Sequence, residues 1–108
     1  MSGENRYVPP IGVHANVWNA ASTGVNTTST NNVNTYNSPF ITAFGTVNGA
    51  TTITVMVSQN GTTFYKSQST QVLGGSGDFC INLTCAAQYV ALQSTADVTA
   101  TATIVAKG

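Results

Sequence analysis

The run TTITVMVS, Thr51 to Ser58, followed by QNGTTFY through Tyr65, decides how the rest of the chain is read. Side chains alternate across a strand, so Ile53, Val55 and Val57 share one face while Thr52, Thr54 and Met56 share the other. The β-branched residues Thr, Ile and Val favour that extended state. The Asn60-Gly61 pair that follows is read as the positive-φ pair of a tight hairpin turn, leading into a strand that carries Phe64 and Tyr65.

The same grammar extends outward from this hairpin. In GDFCINLT, Phe79, Ile81 and Leu83 alternate with Cys80 and Asn82; in QYVALQS, Val90 and Leu92 alternate with Tyr89, Ala91 and Gln93. In DVTATATIVAK the apolar set is Val98, Ala100, Ala102, Ile104 and Ala106, with Thr99, Thr101 and Thr103 on the opposite face. Two earlier strands are read near Val25–Thr30 and Phe40–Val47, separated by an Asn-rich loop. No segment sustains a period near 3.6, and clusters of Gly, Asn and Ser divide the runs. The fold class is all-β: an antiparallel β-sandwich, jelly-roll-like, with an extended N-terminal arm. Ala100 and Ala102 are small, and are expected to make room for Phe79 or Phe64 from a facing sheet.

The first 24 residues lack clean alternation. Pro9 and Pro10 remove two backbone donors and hold the chain extended. Tyr7, Val8, Ile11, Val13, Val17 and Trp18 are too apolar for a solvated tail. Residues 1–24 are therefore read as an arm that packs on its own domain or on a neighbour, and residues 25–108 as the sandwich.

Composition narrows the function. Only 6% of the 108 residues are charged, against about 25% in ordinary soluble domains, and the formal net charge is zero. Nucleic-acid binding needs clustered Lys or Arg, and this chain has only Arg6, Lys66 and Lys107. An anionic membrane surface is disfavoured for the same reason, and no apolar stretch approaches the roughly 20 residues of a spanning helix. MSGENRYVPP lacks the order of a signal peptide, so folding in a cytoplasm is expected.

Catalytic chemistry finds little material. His14 is the only histidine, and Asp78 and Asp97 follow GGSG and STA, where turn duty is the natural reading. GGSGD precedes a strand and lacks the lysine of a phosphate-binding loop. Cys80 and Cys85 could pair, or could join a metal site, but an extended segment would hold their Cα atoms about 16 Å apart. Zinc lacks further ligands. Two reduced, apolar cysteines are expected, with no cofactor, no metal and no enzymatic activity. His14 and Trp18, four apart, could form an aromatic ligand platform or simply pack the arm.

Sheet edges invite aggregation, and natural monomers guard them with Lys, Pro or inward-facing charges. A chain with so few charges is expected to cover its edges with other subunits, as a homo-oligomer (dimer or trimer) seated on a further partner.

The stretches ITVMVSQNGTTFYKSQS and GGSGDFCINLTCAAQYVALQSTADVTATATIVAKG resemble a pattern of small β-sandwich virion proteins of tailed bacteriophages. The elements are S-x-N-G-T-x-F-Y, a Gly-rich turn, F-x-I-x-L, Y-V-x-L-x-S and a Thr/Ala strand ending in Ala-Lys. Discoidin-like and carbohydrate-binding sandwiches share the Asn-Gly turn before an aromatic. The resemblance implies a capsid decoration (cement) protein, made in the host cytoplasm and located on the capsid surface. Its partner would be the major capsid protein or another virion protein, reached through arm residues Tyr7, Val8, Ile11, Val13 and Trp18. The alternative is a carbohydrate- or receptor-binding module of a tail or fibre, with a platform such as Trp18, Tyr36 or Tyr65 and a glycan ligand.

Overall fold

The computed structural model describes residues 12–108, and these form two packed antiparallel sheets. The strands are β1 (Val13–Ser22), β2 (Thr27–Thr28), β3 (Val33–Asn34), β4 (Phe40–Val47), β5 (Thr51–Ser58), β6 (Tyr65–Leu73), β7 (Gly77–Thr84), β8 (Tyr89–Ser94) and β9 (Thr99–Lys107). One sheet has the order β1-β9-β4-β7; the other has the order β2-β8-β5-β6, with β3 also pairing β8. This is the all-β sandwich that the alternation implied. From β4 onward, apart from the β5–β6 hairpin, successive strands switch sheets, so each inner face is built from segments distant in sequence.

The inward residues are those the alternation selected. Val98, just before β9, and Ala100, Ala102, Ile104 and Ala106 of β9 are all buried, as are Phe79 and Ile81 of β7 and Ile53 and Val55 of β5. The pattern slips in β5, where Met56 is buried and Val57 only half-buried. The pairing with β6 shifts register between Thr54 and Met56. That irregularity changes the local twist and re-aims the side chains beyond it.

The N-terminal third departs most from the sequence reading. Val13–Ser22 is an edge strand of the four-stranded sheet, paired with β9 from Val13↔Ala106 to Ser22↔Thr99. The sandwich therefore begins near residue 13, not at residue 25, and this part of the supposed arm packs on its own domain. Register shifts between Asn16 and Trp18 and between Trp18 and Ala21 explain why no alternation was visible. A bulge lets neighbouring residues point the same way, so Val17 and Trp18 are both buried, Trp18 with only 5% of its surface exposed. Ala20 takes a φ of 48°, and its N–H donates to Thr101 Oγ1 at 3.0 Å. Tyr7, Val8 and Ile11 lie outside the described residues.

Trp18 stands opposite Ala102, Ala102 opposite Gly45, and Gly45 opposite Phe79. One row of the sheet thus runs bulky, small, small, bulky. Phe79 is in the same sheet as Ala102 rather than in a facing one, and Phe64 lies half-buried just before β6. Gly45 is required by this close approach: a Cβ there would stand 2.1 Å from the Thr101 carbonyl oxygen and 2.7 Å from Ala102 Cα.

The Ser58–Tyr65 connection is also not the tight turn read from Asn60-Gly61. Six residues separate β5 from β6, and only Gly61 has positive φ, at 79°. Asn60 acts through its side chain instead. Its Oδ1 accepts the N–H groups of Thr62 and Thr63, both at 2.9 Å, while Ser58 Oγ accepts those of Asn60 (3.2 Å) and Gly61 (2.9 Å). These are the short-range bonds by which Asn and Ser stabilise loops. A Cβ on Gly61 would lie 3.5 Å from the Tyr89 ring, so the loop tip rests on that aromatic.

Hydroxyls do elsewhere what charges do in other proteins. Thr23 Oγ1 donates to the Ala96 carbonyl and accepts from Val98 N; Thr35 Oγ1 donates to the Ala87 carbonyl; Thr51 Oγ1 accepts from Ala96 N. No buried side-chain polar atom among the described residues lacks a partner. Edge protection follows the same rule on one side of the sandwich. Gln71 Oε1 of β6 accepts from Cys80 N of β7 at 3.0 Å, and Ser69 Oγ donates to the Asn82 carbonyl at 3.2 Å. Two exposed strand edges are zipped together by amide and hydroxyl groups where lysines would ordinarily stand guard.

Candidate interaction face

The outer side of the four-stranded sheet carries two exposed aromatics, Phe40 and Phe44. Register places its outward side chains in rows. Phe40 lies between Lys107 and Thr84, Thr42 between Val105 and Asn82, Phe44 between Thr103 and Cys80, and Thr46 between Thr101 and Asp78. Phe40 is 57% exposed and Phe44 43%, although both sit on a central strand of a regular sheet. Such positions are normally covered when they carry aromatics.

The polar groups of this face are largely tied to one another. Thr42 Oγ1 donates to Asn82 Oδ1 at 2.9 Å, Thr46 Oγ1 to the Gly77 carbonyl at 3.2 Å, and Thr103 Oγ1 to Asn16 Oδ1 at 2.6 Å. Held hydroxyls lose less entropy on being covered. Beside Phe44, a groove of about 480 Å³ passes over the backbone of Gly45, reaches down to Phe79 and Ala102 and is walled by Thr46, Asp78, Thr101 and Thr103. A smaller groove of about 210 Å³ flanks Phe40 and Thr42, beside Asn82 and Leu83. Asp78 and Lys107 are the two charges of the face, and they lie at its opposite ends.

The residues singled out from sequence are scattered by comparison. Trp18 is in the core, and Val13 is half-buried against it, so neither offers a free apolar side chain to a partner. Tyr36 and Tyr65 are exposed, at 68% and 66%. They lie toward the same end of the five-stranded sheet, on either side of Tyr89, because Asn34 pairs Tyr89 and Tyr65 pairs Val57. His14 is exposed on β1. Cys80 is exposed, Cys85 half-buried, and both are free thiols; the segment between them is extended through Thr84, the case in which the two cannot pair. Among the described residues no group of three His, Cys, Asp or Glu side chains could hold a metal ion.

Asp97 has the turn role read from sequence. Its carboxylate accepts from Ser22 Oγ and from Gly24 N, tying the β8–β9 connection to the end of β1. The Ser22 hydroxyl first, and the Gly24 amide second, hold this carboxyl below its ordinary value.

Phe40 and Phe44 were not singled out from sequence, though PFITAFGTV carried the signal. Alternation puts Ile41, Ala43 and Val47 on one side, which leaves both aromatics on the other with Thr42 and Thr46. No family model, curated protein or solved structure matches the chain.

Proposed function

We propose that the protein is a structural, non-catalytic component of a virion: a capsid decoration (cement) protein that stabilises a phage shell through contacts between subunits. One observation carries the reading. A regular sheet presents two aromatics on an inner strand of a neutral face whose hydroxyls and amides are largely paired already. Burying such a surface meets little desolvation cost, and each Å² of apolar area covered contributes about 25 cal/mol. Repeated over many copies on a shell, even a small shared surface raises the barrier to separating capsid proteins. The partners are further copies of the chain and the major capsid protein, and the location is the capsid surface. Tyr7, Val8 and Ile11 remain proposed arm contacts.

The direct test compares phage shells carrying the full chain, a chain lacking residues 1–11, or the Phe40→Lys/Phe44→Lys variant. Removing residues 1–11 leaves β1 whole, whereas a cut at residue 17 would take half of that strand. Shells carrying the wild-type chain should withstand higher temperature than bare shells, and both variants should lose occupancy. Equal heat resistance with and without the protein contradicts the reading.

The second reading is a carbohydrate- or receptor-binding module. It is favoured by the exposed Tyr36 and Tyr65 at one end of the other sheet, and by the Phe44 groove with its Asp78 carboxylate and Thr hydroxyls. Glycan-array binding that disappears in Tyr65→Ala or Phe44→Ala would support it; no signal above background removes it.

A further inference from the structure

The geometry points to a specific occupant for the outer face of the four-stranded sheet: a second copy of this chain, packed face to face across a two-fold axis. This deepens the assembly reading by naming the surface and the partner. Three observations carry it: pairing symmetry, the placement of charge, and area.

A two-fold axis between the faces, crossing β4 at Ala43, sets residue 40 of one copy opposite residue 46 of the other. It also sets residue 42 opposite residue 44. Phe40 of each copy then projects at the groove beside Gly45 and Thr46 of its mate, where an aromatic ring has room within about 480 Å³. Phe44 of each copy lies over Thr42. The bulky and open positions of β4 are thus complementary to themselves, as an isologous interface requires.

The charges obey the same operation. Lys107 shares the row of Phe40 and Asp78 the row of Thr46. The rotation therefore brings Lys107 of each copy into the row of the other's Asp78, offset by two strands and separated by the space between the faces, about 14 Å at the backbone, a gap that the long lysine side chain narrows enough for attraction at low salt. Parallel stacking would instead set like charges in the same row, so the antiparallel arrangement is selected.

The area suffices for a modest dimer. Four strands at about 4.8 Å spacing and eight residues at about 3.4 Å give a face near 500 Å² in plan. The two copies together bury about 1,000 Å², the lower limit for specific association, so the interface is of the weak, concentration-dependent class.

The test is sedimentation equilibrium of the full chain at low salt, from about 1 to 500 μM. The wild type should dimerise. Phe40→Ala, an outward-facing truncation that leaves the core alone, should raise the dissociation constant by about a hundredfold, since each interface loses two rings. Asp78→Lys and Lys107→Asp should each weaken the dimer several-fold, and the two together should restore it to within about twofold. A wild-type monomer throughout this range overturns the inference, as does a dimer indifferent to Phe40→Ala or a charge pair whose effects add instead of cancelling. A monomer that takes up glycan in the Phe44 groove overturns it too. Failure here is separable from failure of the coat reading: a monomeric protein that still protects shells contradicts only the dimer, and a dimer that protects none contradicts only the coat.

Discussion

Gly45→Ala subjects the packing of the four-stranded sheet to a single added methyl group. The added Cβ would lie 2.1 Å from the Thr101 carbonyl oxygen, 2.7 Å from Ala102 Cα and 2.9 Å from Ala102 Cβ. Two of those three atoms are main chain, so no rotamer change relieves the overlap. β4 and β9 must separate by about 1 Å to restore ordinary contact. They are the two inner strands of the sheet, paired without interruption from Phe40↔Lys107 to Val47↔Ala100. Overpacking of a tight core costs about 1–3 kcal/mol, and a clash against backbone lies at or above the upper end. A loss of about 3 kcal/mol lowers the melting temperature of a domain of this size by about 12–24 °C. Gly75→Ala is the control, because nothing lies within 4 Å of a Cβ at that position; it should be neutral, or stabilising by up to about 1 kcal/mol through the unfolded chain. Urea unfolding of both variants, with the thermal midpoint as a second readout, measures the difference. Gly45→Ala within about 0.5 kcal/mol of wild type, or matched by Gly75→Ala, would refute the packing argument.

Trp18→Ala removes a side chain buried against Ala102 and should cost about 3–5 kcal/mol by the same urea titration; a loss under about 1 kcal/mol would return Trp18 to a detachable arm. Asn60→Ala deletes the acceptor for two loop amides and should cost about 1 kcal/mol, with no effect of Thr62→Ala. The depressed pKa of Asp97 means that its contribution is fully present above the unfolded value of about 3.9 and is lost as pH falls through the lower folded value. Asp97→Asn should therefore be less stable than wild type at neutral pH and converge on it in acid; parallel curves from pH 6 to pH 2 would contradict this.

Much of the fold was legible because most strands keep strict alternation against one buried face. In β9, four buried apolar residues at every second position, Ala100 to Ala106, lead straight to the core. Where the ladder breaks, legibility ends. The bulges of β1 bury Val17 and Trp18 side by side, so a strand with two register shifts reads as an irregular arm. Asn60-Gly61 misled for a related reason: Asn can serve a turn through its backbone or its side chain, and local sequence does not distinguish the two. The face was half-legible. Phe40 and Phe44 announce their shared side by spacing, but exposure depends on what lies above β4, and that is decided by topology. Gly45 shows the same dependence, since its partner Ala102 is 57 residues away.

Cys80 supplies the most direct test, because its exposed thiol lies on β7 directly beside Phe44. Its reaction with a maleimide should slow by about tenfold or more as wild-type protein is raised from about 1 to 500 μM, tracking the fraction dimerised. The rate should stay constant in Phe44→Lys. A Cys80 that reacts equally fast at every concentration in the wild type would contradict a face built to be covered.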